Sequence, residues 1–506
     1  MNARYRRLKW NSGLALVYQV VLIGTGLVLP RCFLYFYGSE VNGLISSITQ
    51  FLSFINICDL GISAVVSSAY YRPLAEHDTV RVSKVFVYSK RFFRIVGFIL
   101  TGYILVLLCV YPTLINRSFD YWFTAALIAA MGISQLGQYF IGITYQLLLN
   151  SDQKSSVQLI INGSTLLANT VVSVLLMLGG APIQLVKLTT SLIYLLRPLL
   201  LYLYVKKHYE LDLTVTVDRS VVPQKSSGII QHIAYMIYEN TDVMVLTVLS
   251  TLKNVSIYAV YTLATNCIKQ LITAATTGVQ ALLGNMLANR EQQALRRFYA
   301  LYDWCVHTAA TLLFTVTGLL LVPFVKVYTA QITDADYVAP TFAALICLAY
   351  FLSSIRNCGY VLIRAAGHYR QTQTASMIEA VANLALSVVC VFRYGLVGVA
   401  FGTVAATAFF VVYEMFYFSR NIVFLKKTHF LKLFATDALT AAVSIALASQ
   451  LRLFRGTVGS WLVQAVLVSA VCAAVSLSVQ FLLYRKNLIT LKTRVWRSLF
   501  GGKHVQ

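Results

Sequence analysis

Between Asp120 and Asp152 the chain reads YWFTAALIAAMGISQLGQYFIGITYQLLLNS over residues 121–151, a run of thirty-one with no Asp, Glu, Lys or Arg. A helix needs about 20 predominantly apolar residues to cross a bilayer. Working outward, the same absence of charge recurs between Lys9 and Arg31, Arg94 and Arg117, Lys154 and Lys187, Asp303 and Lys326, and Asp336 and Arg356. Other intervals hold one or two embedded charges. With turns taken from Gly, Pro, Asn and charge clusters, fourteen spans are expected near 12–36, 41–68, 91–113, 120–149, 157–179, 182–205, 226–250, 254–284, 299–325, 338–364, 374–393, 396–419, 433–451 and 458–483.

Composition excludes the alternatives. Of the 506 residues 58% are hydrophobic and 12% charged, with mean hydropathy +0.71, where soluble domains carry about 25% charged residues. Too few polar residues remain to cover a water-facing surface. Soluble enzymes, disordered chains and fibrous repeats are ruled out. The excess of 41 Lys and Arg over 18 Asp and Glu, a formal +23, is therefore read as topology and not as a nucleic-acid footprint. Thirty of these cations fall at the N-terminus, in alternate connections and in the tail after Tyr484, six fall in the opposite connections, and five lie inside spans. The bias predicts that both termini face the cytoplasm. The N-terminal apolar run is too long for a signal peptide and leads into Pro30-Arg31, so it is retained as the first span.

No connection is long enough for a soluble catalytic domain, and there is no phosphate-binding G-x-x-x-x-G-K-[ST]. The seven histidines and nine cysteines show neither metal-ligand spacing nor a C-x-x-C pair. The expectation is a non-enzyme without catalytic residues, resident metal or cofactor.

Shifting the chain by 212 positions lays Asn42 on Asn254, Gln50 on Thr262, Ser53 on Thr265, Lys84 on Arg296 and Phe86 on Phe298. Spans 1–6 and 7–12 then form parallel repeats, an arrangement that builds transporters with a site between them. The fold class expected is an all-α polytopic membrane protein of about 14 helices, two six-helix lobes and two further C-terminal helices. Its domains are 1–205, a cytoplasmic linker 206–225, 226–420, and 421–506 with two helices and a basic tail.

Polar residues mark the candidate site. In the second span Asn42, Ser46, Thr49, Ser53, Asn56, Asp59, Ser63 and Ser67 recur every three or four positions, and in the eighth Thr262, Thr265, Asn266, Lys269, Thr273, Thr276 and Gln280 do so. Ser and Thr at that spacing also serve close helix packing. Charges are more telling, because an ionised group at mid-bilayer costs roughly 2.5–3.5 kcal/mol on insertion scales and so lines a cavity or pairs. Arg31, Asp59, Lys187, Arg197, Asn266, Lys269, Gln270 and Arg356 are the candidate substrate-binding or cavity residues, and Glu239 and Asp242 the candidates for coupling to a proton or sodium ion. Glu414 and Asp437 are placed at the interface by their distance from the span centres. A cavity with Arg and Lys beside hydroxyls and amides suits a ligand that joins an anionic group to many hydroxyls.

Seven stretches resemble the bacterial polysaccharide-exporter flippases of the multidrug/oligosaccharidyl-lipid/polysaccharide exporter superfamily: Phe36-Tyr-Gly-Ser-Glu-Val-Asn-Gly-Leu44, Asp59-Leu-Gly-Ile62, Tyr71-Arg-Pro-Leu-Ala-Glu76, Tyr238-Glu-Asn-Thr-Asp-Val243, Gly367-His-Tyr-Arg-Gln-Thr372, Glu379-x-x-x-Asn383-x-x-x-Ser387 and Gly395-Leu-Val-Gly-Val-Ala-Phe-Gly-Thr403. The resemblance implies a two-lobe transporter of the bacterial cytoplasmic membrane that flips an undecaprenyl-pyrophosphate-linked oligosaccharide to the outer leaflet by alternating access, for capsule, O-antigen or a related glycan. It also implies membrane lipid and a lipid-linked oligosaccharide as partners, with a glycan polymerase and glycosyltransferases as candidate protein partners, no nucleic acid, and a chain able to act as a monomer. Family cavities are cationic, which fits Arg31, Lys187, Lys269 and Arg356. The rivals are a cation-coupled drug antiporter of the same superfamily, a lipid II flippase, and a membrane-embedded glycan polymerase, which the short outer loops disfavour.

Overall fold

A computed structural model describes residues 2–59, 62–115, 118–216, 229–276, 279–451 and 453–500, and every regular element among them is helical. The chain divides into two compact units, Met1–Ala259 with Gln331–Ala335, and Val260–Ala330 with Asp336–Gln506.

In the first unit, α1 (Asn2–Ser53) leads through a 3-10 turn to α2 (Ile62–Ala75), α3 (Thr79–Val110), α4 (Tyr121–Gly137), α5 (Ile143–Ser151), α6 (Ser155–Leu178), α7 (Ile183–His208) and α8 (Ile229–Leu249). An unbroken α1 would be about 78 Å long at 1.5 Å per residue, more than twice the hydrocarbon thickness. Gly38, at φ 80° and ψ 176°, divides it, in a conformation open to glycine and strained for other residues. Asp334 seals the break: its carboxylate accepts from the Ser39 backbone N–H and from Ser39 Oγ, both at 2.7 Å, a helix cap supplied by a residue distant in sequence.

The opening stretch 121–151 folds as α4, a π-helical turn at Gln138–Gly142 and α5. Its flanking charges are functional ends of helices. Asp120 caps α4 by accepting from Trp122 N at 3.0 Å, and Asp152 accepts Tyr209 OH at 2.5 Å and pairs with Lys154 at 2.9 Å. Across α3, Ile95, Phe98, Ile99, Leu105 and Val106 are exposed, an apolar face that a bilayer covers. The core opposite holds Leu44, Ile48, Tyr70, Phe93 and Leu148.

Three residues of the second span's polar stripe, Asn42, Ser53 and Asn56, and two beside it, Ser47 and Gln50, are spent on packing inside this unit. Asn42 Nδ2 donates to Ser256 Oγ at 2.8 Å, Thr247 Oγ1 to Ser47 Oγ at 2.8 Å, Tyr111 OH to Ser47 Oγ at 2.6 Å, and Tyr139 OH to Asn56 Oδ1 at 2.7 Å. Gln50 and Ser53 both donate to Asn240 Oδ1. Interhelical hydrogen bonds of this kind hold helices together where lipid offers no hydrophobic gain. By packing, α8 thus goes with the first unit, although the repeat pattern counts it as the seventh span.

Gly43 allows the closest of these approaches, since a Cβ there would sit 1.9 Å from the Leu252 carbonyl oxygen. Gly43→Ala is expected to lower stability by about 1–3 kcal/mol, the usual cost of overpacking, measured by denaturant unfolding in detergent. An unchanged midpoint would show that α1 and the Leu252 backbone part without strain.

The second unit comprises α9 (Leu252–Ala275, apart from its first turns), α10 (Val279–Ala288), α11 (Gln292–Tyr328), α12 (Pro340–Ala366), α13 (Tyr369–Asn421), α14 (Lys427–Ala448) and α15 (Val458–Phe500). Gly395, at φ 54°, breaks α13, and its two limbs fold against each other: a Cβ on Gly398 would lie 2.3 Å from the Cys390 carbonyl oxygen, and one on Gly402 2.6 Å from Ser387 Oγ. The Gly398-x-x-x-Gly402 pair is therefore a packing device. Both last helices pack on α11, where Trp304 Nε1 donates to Gln480 Oε1 at 2.7 Å. Ten described helices are long and apolar enough to cross a membrane. Dividing α1 and α13 at their glycines and adding the more polar α8 and α9 gives fourteen among the described residues. The chain is a multi-pass membrane protein.

Candidate functional site

The spacing 187, 190, 191, 194, 197 on α7 follows the 3–4 repeat of one helix face, and the residues there are Lys187, Thr190, Ser191, Tyr194 and Arg197. They line a pocket of about 330 Å³ in the first unit together with Thr49 and Leu52 of α1 and Met131, Ser134, Gln135 and Gln138 of α4 and the π turn. Local sequence sets this geometry. The π turn inserts one residue into the helical repeat and so re-aims the side chains of α5 beyond it. It rests against α7 because Gly137 and Gly142 have no side chains: a Cβ would meet Leu195 Cδ2 at 2.2 Å and Pro198 Cβ at 3.3 Å, respectively. A larger residue at Gly137 would require the Leu195 side chain to move, and one at Gly142 that of Gln138, which itself lines the pocket.

Neither cation has a carboxylate partner among the described residues, and the lining residues include no Asp or Glu. Lys187 Nζ lies 4.1 Å from the centroid of the Phe33 ring, and the Arg197 guanidinium lies 3.9 Å from that of Tyr194. Aromatic faces hold a cation in place without neutralising it. Arg197 also donates from Nε to Thr165 Oγ1 at 2.7 Å, which fixes the plane of its fork. The result is two positioned cations on one face of α7, their Cα atoms about 15 Å apart along the axis from ten residues at 1.5 Å each, with hydroxyls and amides between. That arrangement binds an anion by charge-assisted hydrogen bonds and polyols by neutral ones.

The other sequence candidates are distributed. Arg31 is exposed on α1. Asp59 ends the 3-10 turn, and its side chain lies outside the described residues. Asp242 is 6% exposed and accepts Tyr258 OH at 2.9 Å, whereas Glu239, three residues earlier on α8, is exposed. In the second unit Asn266 and Gln270 are exposed on α9, and Lys269 Nζ lies 5.6 Å from the Tyr350 ring centroid. Arg356 is 5% exposed and pairs with the fully buried Glu379 at 2.9 Å. Glu414 and Asp437 are buried within the second unit, at 3% and 6% exposed, and not at an interface as their sequence position suggested. Gly359 makes the room for Glu414, since a Cβ there would lie 2.5 Å from Glu414 Oε2. The structure thus brings Lys187 and Arg197 into one site and gives Arg356 a partner.

No protein-family model matches the chain, and no curated protein sequence does. Solved structures do match. The lipid II flippase MurJ, in an inward closed conformation, aligns with a TM-score of 0.71 at 13% identity, over 94% of this chain and 99% of that one. The fold is that of the MOP-superfamily transporters. An inward-facing multidrug resistance MATE family transporter of the MOP superfamily aligns with a TM-score of 0.62 at 14% identity, over 79% and 94% of the two chains. The MATE multidrug transporter DinF-BH, solved in complex with R6G, gives 0.57 at 16% identity, over 83% and 97%. At such identities the likeness establishes the MOP fold, and cargo has to be argued from this chain's own side chains.

Proposed function

We propose that the chain is a transporter that flips an undecaprenyl-pyrophosphate-linked oligosaccharide from the cytoplasmic to the outer leaflet of the bacterial cytoplasmic membrane by alternating access, as a step in surface polysaccharide assembly. The observation that carries this reading is the first-unit pocket, with Lys187 and Arg197 lacking acid partners among the described residues and Thr49, Gln135, Gln138, Thr190 and Ser191 beside them. A pyrophosphate needs positive charge and bidentate donors, and a sugar needs hydroxyl and amide partners. Neither crosses hydrocarbon unaided, since each unsatisfied polar group is costly there. The alignment with MurJ, named as a lipid II flippase, spans 94% of the chain against 79% for the MATE transporter, and the added share is of the size of α14 and α15.

A cation-coupled drug antiporter is the second reading. It is favoured by the MATE-like fold and by Asp242, a buried acid on α8 held by Tyr258. The two readings separate by ligand sign. Calorimetric titration of the purified protein with inorganic pyrophosphate and, separately, with the lipophilic cation tetraphenylphosphonium is expected to show saturable binding of the anion. Binding of the cation alone would replace the flippase reading with the antiporter.

A further inference from the structure

A line of four ionisable side chains runs through the second unit, separate from the pocket of Lys187 and Arg197. His429, in the first turn of α14, places Nε2 at 3.3 Å from Asp303 Oδ2 on α11, within ion-pair distance but without a formed hydrogen bond, so that a small ring rotation has to complete this link. One helical turn on, His307 places Nε2 at 3.7 Å from Asp303 Oδ1, a gap that one water or a small rotamer change closes. The other ring nitrogen of His307, Nδ1, lies 2.5 Å from Asp437 Oδ2 on α14, whose second oxygen accepts Thr311 Oγ1 at 2.7 Å. The side chains of Asp303, His307 and Asp437 are 4%, 2% and 7% exposed, and that of His429 is 20% exposed. One end of the line therefore reaches outward beside the loop between α13 and α14. The other end, Asp437 with Thr311, lines an apolar pocket of about 570 Å³ between α11, α12 and α14.

From α12 the line is faced by Arg356 and by Cys358, whose Sγ lies 3.8 Å from Asp303 Oδ1. From α13 come Glu379 and Glu414. Tyr299 and Tyr302 on α11 and Tyr484 on α15 stand near it, and Lys432 of α14 is exposed with its ammonium 4.6 Å from the Tyr484 ring. Among the described residues, four buried carboxyl groups thus meet one buried permanent cation, Arg356. Isolated charges of that kind are not tolerated in a dry interior. The two imidazoles, each set beside a carboxyl group of this cluster, are the side chains placed to exchange protons with it.

We propose that His429, Asp303, His307 and Asp437 form a proton-binding relay that connects the α13–α14 loop side of the second unit to the apolar pocket. A proton taken up on His429 passes to Asp303. From Asp303 it passes to His307 Nε2, and the proton on His307 Nδ1 moves to Asp437. His429 and Asp303 return to their starting charge, His307 exchanges one neutral tautomer for the other, and Asp437 ends neutral and able to release the proton into the pocket. Chains of Asp, Glu and His inside membrane proteins commonly carry protons in this way. A neutral Asp437 no longer needs a charged partner on α11, so protonation also changes how α14 is held.

The relay is independent of cargo, and its test needs none. Purified full-length protein in detergent is titrated between about pH 5 and 8, where imidazoles change charge, and monitored by infrared difference spectroscopy of protonated-carboxyl and imidazole bands. The wild type is expected to show a coupled step in both bands. Asp437→Asn and His307→Gln should each abolish the carboxyl part of the step, and Thr311→Val should shift its midpoint while the helical circular dichroism stays intact. Loss of stability in these variants with the step unaltered would mean that the four residues only fasten α14 to α11. A wild type without the step would equally overturn the relay. Should His307→Gln fail to fold, the near-isosteric Asp437→Asn alone decides between these outcomes.

Discussion

Lys187→Ala combined with Arg197→Ala should remove saturable pyrophosphate binding by the purified protein, and each single change should weaken it by at least about tenfold, given about 1.5–3 kcal/mol for each hydrogen bond to a charged group. The size of the effect comes from the absence of acid partners among the described residues. Where a cation is already paired, removing it exposes a carboxylate and the loss reports that penalty instead. Here both cations are held by aromatic rings and Thr165, so their removal subtracts attraction and leaves no buried negative charge behind. Arg197→Lys is a sharper probe, since it keeps the charge and loses the planar fork that stacks on Tyr194 and donates to Thr165. Intact binding by the double variant, with the same gel-filtration profile as wild type, would remove this pocket from ligand recognition.

Arg356→Met is expected to be the most damaging single change to stability, lowering it by about 3–5 kcal/mol as for other broken buried ion pairs. Glu379 is fully buried and Glu414 is 3% exposed, so losing the guanidinium leaves two carboxyl groups without their permanent countercharge. The double variant Arg356→Met with Glu379→Leu should recover most of that loss, because replacing a buried pair by apolar groups of similar volume is close to neutral. Denaturant unfolding of wild type, single and double variants completes the cycle. A single variant as stable as wild type would show that Arg356 is free to serve a ligand.

Sequence alone reaches the helix count, because charge-free intervals of about twenty residues mark six of the spans and turn residues and charge clusters divide the rest of the apolar chain. The two glycine breaks are legible in the same way, since fifty-residue apolar helices cannot fit a bilayer. Side-chain partnerships are less accessible. Lys187 and Arg197 stand out as embedded charges, but the residues that complete their pocket depend on the π turn at Gln138–Gly142, which no periodicity reveals. The face 187, 190, 191, 194, 197 is a signal present in the sequence, diluted by the leucines around it. Asp303, His307 and Thr311 also share a helical face, yet Asp303 reads as the boundary of an apolar run, and the partners of this face, His429 at Asp303 and Asp437 at His307 and Thr311, lie more than a hundred residues away. Arg356 and Glu379 look alike as isolated charges in sequence, and only folding shows that each satisfies the other.

The most direct measurement is reconstituted flipping. Purified wild type and the Lys187→Ala, Arg197→Ala double variant are placed in liposomes carrying an undecaprenyl-pyrophosphate oligosaccharide labelled on one leaflet, and exposure of the glycan to an added glycosidase is recorded over time. Protein-dependent exposure by wild type, falling to the protein-free rate in the double variant, is the predicted result. Exposure at equal rates by both proteins, or by neither while the wild type takes up tetraphenylphosphonium, would contradict the account.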